Sequence, residues 1–258
     1  MTADKIQAYL DRIGFPYPDV CDEETLRNMT RAHLVTVPFE SLEPSVEGRE
    51  PSLEEEDLYR KVVENHRGGY CFELNKIYNI LLKALGYECY PIPVRIIMGR
   101  PEPCPFSHRG IMLRLNGQRW YVDVGFGGLG PKGILNLEES GIQTIVGESF
   151  RVAWEGDVCV IIRVEPDKEI RMLSFRDVEW LECDFQYWNG FFATHPGSPF
   201  RNKRICYMCT PTGWISQVEN MVSVFDNGVT TSRELGSEEE IRAFIQENFQ
   251  VKIPQWTA

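Results

Sequence analysis

The spacing of apolar and polar positions changes period along the chain and divides it into parts. Up to about residue 86 the period is helical. Residues 5–13 and 22–34 read as amphipathic helices, residues 53–65 as a charged helix, and residues 37–42 (VPFESL) as a connector. The clearest helix carries Leu74, Ile77, Tyr78, Leu81, Leu82 and Leu85 at i, i+3, i+4, i+7, i+8 and i+11. It follows a break at Arg67-Gly68-Gly69 and stops at Gly86, a natural C′ residue. That stripe is a core face with no chemistry of its own. From Tyr87 to about Cys183 the period shortens to that of strands, at 89–98, 108–115, 118–124, 148–154, 158–164 and 171–174, as in an antiparallel sheet or barrel. From about Asp184 the pattern is mixed, with strands expected at 205–210, 213–218 and 221–226. A last helix starts at Ser237, with Glu240 completing a capping box. No internal repeat or low-complexity segment stands out.

Within the strand region, Asn116-Gly117 sits between two alternating runs and predicts a two-residue hairpin loop. Paired positions then sum to 233, which sets Gly110 opposite Asp123. His108 lies two residues from Gly110 and points to the face that carries Asp123. The two are diagonal neighbours, with Cα atoms roughly 7–8 Å apart, and glycine puts no side chain between them. Ile111, Leu113, Leu115, Trp120, Val122 and Val124 occupy the other face, so a one-residue slip would turn the apolar set outward. The same register opposes Arg114 to Arg119 beside the turn, where water can screen them. An acidic partner that orients a histidine is half of a catalytic triad. Equally, such a pair can simply decorate a half-exposed sheet.

The nucleophile on offer is Cys71, at the start of the strong helix and directly after the two glycines. A helix N-terminus stabilises a thiolate and presents free N–H groups to an oxyanion. Gly68 and Gly69 would let a substrate approach the backbone closely. The alternative is a small buried apolar residue, the ordinary reading of the other cysteines. Residues 125–130 (GFGGLG) match GxGxxG formally, but Pro131 and Gly133 follow where a dinucleotide fold needs a helix. They read instead as a ligand-hugging loop with Phe126 as an aromatic wall. His33 and His66 read as surface or satisfied structural residues. His195 lies in a loop of small polar residues ahead of Arg201, Lys203 and Arg204, a cluster suited to phosphates or to plain solvation.

Composition narrows the function. The 43% hydrophobic and 25% charged residues in a chain of 258 are ordinary for a globular protein. A net charge of −11 argues against general nucleic-acid binding and against an anionic membrane surface, while leaving room for a small anionic ligand held locally. The first residues show no signal-peptide core, and no apolar run approaches a membrane span. The eight cysteines are therefore expected to be reduced thiols of a cytoplasmic protein. Cys206 and Cys209 form a CxxC on a strand with no second ligand pair, which reads as chance spacing. No metal site and no bound cofactor are expected.

Taken together, residues 67–75 (RGGYCFELN), Ser107-His108 leading a strand, and residues 122–128 (VDVGFGG) resemble the arylamine N-acetyltransferase family. Residues 37–42 match its PFENL-like segment, with Ser41 where asparagine is common. Residues 194–200 and 210–213 resemble a loop and turn of its third domain. The match covers nearly the whole chain. The resemblance implies an α+β fold of three domains: an N-terminal helical bundle (1–86), an antiparallel β-barrel (87–183) and a C-terminal α/β lid (184–258). The first two would form a core like that of cysteine proteases and transglutaminases. It implies a Cys71–His108–Asp123 triad and a ping-pong reaction, in which Cys71 takes an acetyl group from acetyl-CoA and passes it to an arylamine, hydrazine or N-hydroxyarylamine. Thiol–thioester exchange is nearly isoenergetic, so a soft nucleophile suffices. Phe39 and Phe126 match acceptor-lining positions. Cys104 to Ser107, Gly127, Gly128, Gly197 and Ser198 match regions near CoA. Relative to that family the chain is short at its C-terminus, which points to a more open acceptor pocket. It also lacks a long insertion between the second and third domains.

Three functions compete. An acyl-CoA-dependent N-acyltransferase leads, with amide synthesis or longer acyl chains as variants. A cysteine hydrolase or transglutaminase-like enzyme would acylate from amides. A small-molecule binding module would form no covalent intermediate.

Overall fold

The computed structural model describes residues 1–251. The N-terminal part holds α1 (Ala3–Ile13), α2 (Glu23–Leu34), α3 (Glu55–Tyr59) and α4 (Cys71–Leu85). Caps fix where the first two begin. Thr2 Oγ1 accepts from the Lys5 N–H at 3.4 Å and Asp22 Oδ1 from the Thr25 N–H at 2.8 Å. The helix expected over 53–65 is two pieces, because α3 runs into a π-helical turn at Arg60–Glu64. In that wider turn Lys61 reaches the carboxylates of Glu43 and Glu73. Leu74, Ile77, Tyr78, Leu81 and Leu82 of α4 are fully buried, each aliphatic contributing about 1.5–3 kcal/mol. Gly86 closes α4 at φ 105°, with the Gly86 N–H on the Lys83 carbonyl and the Tyr87 N–H on the Leu82 carbonyl.

The main sheet is antiparallel and eight-stranded. It comprises β2 (Glu88–Ile96), β3 (His108–Leu115), β4 (Gln118–Asp123), β5 (Gly133–Asn136), β6 (Gln143–Ile145), β7 (Glu148–Glu155), β8 (Val158–Val164) and β9 (Glu169–Arg176), in the order β5-β4-β3-β2-β9-β8-β7-β6. Its edges meet. The Asn136 N–H donates to Gln143 Oε1, and Gln143 Nε2 donates to the Asn136 carbonyl, both at 2.8 Å. The sheet is thus a nearly closed barrel. Ile92, Val94, Met112, Tyr121, Phe150, Ile161 and Leu173 fill its interior. The outer face of β3 and β4 places Ile111, Leu113, Trp120 and Val122 in one core with residues of α1, α2 and α4.

The rest of the chain forms α5 (Glu182–Thr194), α6 (Pro199–Asn202) and β10 (Ile205–Cys209). It continues with β11 (Gly213–Val218), β12 (Met221–Asp226), β13 (Val229–Glu234) and α7 (Glu238–Phe249). The connector at 37–42 contributes a short strand, β1 (Phe39–Glu40), which edges the second sheet in the order β1-β10-β11-β12-β13. The expected boundary after residue 183 falls inside α5. Ser237 caps α7 by accepting from the Glu240 N–H, but the Glu240 carboxylate takes the Gly236 N–H, one residue before the expected partner. Residues 252–258, the end of the expected lid, lie outside the described residues. No helix among the described residues is long and apolar enough to cross a membrane.

Candidate active site

Cys71 opens α4 and is 2% exposed. The Glu73 carboxylate accepts the Tyr70 N–H at 3.1 Å and holds the helix start. A Cβ on Gly68 would lie 1.9 Å from the Pro38 carbonyl oxygen, and one on Gly69 would lie 2.8 Å from the Glu73 carboxylate. The room expected there for a substrate is therefore filled by the chain itself.

The hairpin has the register set by its turn, with Ile111 opposite Val122, Leu113 opposite Trp120 and Leu115 opposite Gln118. Asn116 and Gly117 take φ 54° and 76°, the left-handed pair such a turn demands. Arg114 does oppose Arg119. Asp177, rather than water alone, separates their charges, with Oδ2 at 3.0 Å from Arg114 and 3.7 Å from Arg119. His108 Nε2 lies 2.5 Å from Asp123 Oδ2. Both face the barrel interior, so a half-exposed surface pair is not what the structure contains. Sheet closure, which strand alternation does not report, buries the second face.

Asp123 is fully buried, and each of its oxygens meets two donors. Oδ2 faces His108 and accepts from the Tyr121 hydroxyl at 2.6 Å. Oδ1 accepts from Asn75 Nδ2 at 2.9 Å and from the Gly125 N–H at 2.8 Å. Four donors replace the water that a buried carboxylate loses. Burial alone would lower the pKa of His108, but the Asp123 charge and the contact with Cys71 outweigh it, and the imidazole is pushed up to about 10. Asn75, one turn after Cys71 on α4, also donates to the Arg109 carbonyl at 2.5 Å and accepts the Val124 N–H at 2.8 Å. It locks the helix to both strands of the hairpin. A Cβ on Gly125 would lie 2.8 Å from Cys71 Cα, so glycine sets how closely the loop meets the nucleophile.

The glycine-rich loop hugs protein more than open space. A Cβ on Gly127 would strike the Phe39 ring at 2.4 Å, and one on Gly130 the Phe126 ring at 2.3 Å, whereas Gly128 has nothing within 4 Å. Phe126 meets the His108 ring edge-to-face at 5.3 Å. Phe39, Phe126 and Gly127 therefore gather near Cys71 and His108. Gly197 and Ser198 are linked to this group by the neighbouring Phe200, whose ring touches Phe39 and Tyr70. The Ser198 hydroxyl is spent on the Phe192 carbonyl and the Phe200 N–H. Ser107 is buried beside His108, and its hydroxyl has no hydrogen-bond partner among the described residues. Cys104 instead lines a separate cavity of about 630 Å³ with Pro93, Arg95, Phe106, Ser174 and Trp180. Its β2 residues Pro93 and Arg95 alternate with Ile92 and Val94, which point into the barrel.

The remaining candidates take structural places. His33 is fully buried, bonds the Tyr9 hydroxyl at 3.1 Å and is pushed down to about 3 by burial and by Arg12. It is a core residue, not a surface one. His195 stacks on Phe191, and its Nδ1 accepts the Gly197 N–H. Arg204 is engaged by Glu219 and Glu238. Cys206 and Cys209 are buried as free thiols on β10. Among the described residues no group of three or more His, Cys, Asp or Glu side chains is arranged to hold a metal. Sequence reasoning missed Asn75, Tyr121 and Phe200. The first two carried a signal: Asn75 is four residues from Cys71 on one helix face, and Tyr121 is two from Asp123 on one strand face.

A family model described as N-acetyltransferase matches residues 22–257. An arylamine N-acetyltransferase of Escherichia coli (strain K12) is 29% identical over 244 residues, covering 93% of this chain and 86% of the relative. A solved arylamine N-acetyltransferase from Salmonella typhimurium superposes with a TM-score of 0.92 at 26% identity, covering 97% of this chain and 92% of that one. The Mycobacterium marinum arylamine N-acetyltransferase, solved in complex with CoA, gives 0.87 at 26% identity, covering 95% and 92%.

Proposed function

The chain belongs to the arylamine N-acetyltransferase family and is an acetyltransferase of that type; from this premise we propose that it transfers an acetyl or other short acyl group from acyl-CoA to arylamines, arylhydrazines or N-hydroxyarylamines through a thioester on Cys71. The observation that carries the reading is His108, buried between the Asp123 carboxylate and the Cys71 thiol at the start of a helix.

The steps follow from that geometry. The Cys71 thiolate attacks the thioester carbonyl while the Cys71 and Phe72 backbone N–H groups, which as the first two of α4 have no intrahelical acceptor, would face the developing oxyanion. The carbon–sulfur bond to CoA breaks, and the departing thiolate takes the proton of the His108 imidazolium. The amine then attacks the acetyl thioester, neutral His108 accepts the amine proton, and Cys71 leaves as a thiolate. His108 Nε2 is held by Asp123, so Nδ1 is the nitrogen that exchanges these protons. Asp123 fixes the ring and stabilises its charged form. Phe39 and Phe126 would face the acceptor ring, while Ser107, Gly127 and Gly128 would lie nearest the pantetheine end of CoA. Cys104, Gly197 and Ser198 are assigned the outer CoA contacts.

We read the chain as three units, 1–86, 87–183 and 184–258, in which the helical unit supplies the thiol, the barrel supplies the base and the last unit covers them. The relation of the first two to the cysteine protease and transglutaminase core, and a cytoplasmic setting, belong to the same proposal. The test is intact mass and peptide mapping after mixing with acetyl-CoA and no acceptor. An acetyl group on the peptide holding Cys71, absent from Cys71→Ser, is the expected result. Substantial transfer by Cys71→Ser would sink the mechanism. Absence of both adduct and CoA release would favour a hydrolase or a binding protein.

A further inference from the structure

Tyr121 is the residue near the triad that the reaction above leaves without a task. It is fully buried on β4, two residues before Asp123 and on the same face. Its hydroxyl donates at 2.6 Å to Oδ2, the same oxygen that lies 2.5 Å from His108 Nε2. The ring is held in place by two close neighbours. Phe175 of β9 stacks on it at 5.1 Å and 18°, and a Cβ on Gly110 would lie 2.6 Å from its Cε2. Gly110 is therefore glycine to admit this phenol. Burial and the neighbouring carboxylate keep the phenol protonated, so it stays a donor. The titratable groups facing it are Asp123 on its own strand, His108 on β3, Cys71 on α4 and Cys159 on β8.

We propose that Tyr121 is a positioning residue that divides the charge of Asp123 Oδ2 with His108 and so limits how tightly the imidazolium is held. The argument is electrostatic. A carboxylate oxygen that accepts two hydrogen bonds attracts each donor less than one that accepts a single bond. The hydroxyl dipole also turns its positive end toward the imidazolium. Both effects favour release of the proton that His108 must give to the departing CoA thiolate. A phenol whose role was only packing would not need the oxygen that His108 uses.

The inference rests on the acyl-transfer reading, and its test separates the two. The wild-type protein is mixed with acetyl-CoA alone to follow CoA release, and the acetyl-enzyme is then mixed with aniline to follow transfer. In Tyr121→Phe the alkaline limb of the pH profile should move up by about one unit, a tenfold change in proton affinity. CoA release should slow severalfold, at most roughly tenfold, while transfer to aniline holds its rate. Replacement of Tyr121 by 3,5-difluorotyrosine, a stronger donor of nearly the same shape, should move the limb down. Phe175→Leu, which loosens the ring but keeps the phenol, should leave the limb where it is. Unmoved limbs in both Tyr121 replacements, or equal slowing of both half-reactions, would overturn the proposal. Failure of the wild type to release CoA would instead overturn the reading on which it rests.

Discussion

Two buried polar clusters flank the first turn of α4, and they are built on opposite plans. On one side His108, Tyr121, Asn75 and the Gly125 N–H converge on a single carboxylate, Asp123. On the other side the carboxylates of Glu40, Glu43, Glu47 and Glu73 share Lys61, Arg67 and, at the solvent edge, the exposed Arg49. Arg67 Nη2 lies 2.7 Å from Glu40, and Lys61 Nζ lies 2.6 Å from Glu73. The first cluster gives its one carboxylate a full set of four donors, one of them a ring whose proton can leave. The second has more carboxylates than cations, and those cations are locked in the charged form: neighbouring carboxylates raise the pKa of Lys61 and Arg67 despite burial. A fully satisfied carboxylate beside a movable proton suits catalysis. Surplus carboxylates around fixed cations suit anchoring, here of the β1 connector and the start of α4.

That contrast can be broken, most severely at Asp123. Asp123→Asn would bring an amide N–H₂ among donors and deprive His108 of its counter-charge. We expect kcat/KM for acetyl transfer to fall roughly 10³–10⁴-fold. A loss below about tenfold in steady-state kinetics would move Asp123 into the anchoring class. Arg67→Met should act the other way. It leaves the buried Glu40 carboxylate without its paired cation and Glu47 with Arg49 alone, at a cost of about 3–5 kcal/mol in denaturant unfolding. Activity per folded molecule should remain largely unchanged. Intact stability with collapsed activity would mean that the second cluster also takes part in the chemistry.

The smallest effect is one of pH. Burial pushes the Glu73 carboxyl from 4.5 up to about 7, more than Lys61 pulls it down. The folded protein then keeps a proton that the unfolded chain has released, so stability is present below about 4.5 and lost as pH rises through about 7. His108, raised from 6.5 to about 10, loses its contribution in a later window as pH rises between those values. Unfolding curves of wild type and Glu73→Gln across these windows should differ in slope only in the lower one. Parallel slopes throughout would place Glu73 among ordinary ionised carboxylates.

Much of the candidate site was legible because its geometry is local. The turn at Asn116-Gly117 and the two-residue period set the hairpin register, and that register alone puts His108 beside Asp123. The helix that starts at Cys71 is written in its apolar stripe and its Gly86 stop. What escaped was short, exposed or paired at long range. β5 and β6 have four and three residues. β13 is exposed at every position and has no alternation to read. α5 carries Gly190 and aromatic residues on several faces, which hides its stripe. β1 is two residues long and pairs with Cys206 and Tyr207, far along the chain.

By itself, then, the sequence determined the register of the β3–β4 hairpin, the extent of α1, α2 and α4 to within two residues, and the three residue types from which a nucleophile, a base and an orienting acid can be drawn. Each of these depends on neighbours within a few positions, where backbone period and turn chemistry leave little choice. Only the tertiary structure decided that Cys71 meets His108, that Asn75 and Tyr121 complete the shell of Asp123, and that the glycines after Asp123 serve close packing against Cys71 and Phe39. It alone closed the sheet over the face that carries the pair. Those outcomes depend on which distant surfaces share a core, and apolar burial, which selects them, is non-directional. The directional contacts that give the site its chemistry form only after burial has chosen the partners.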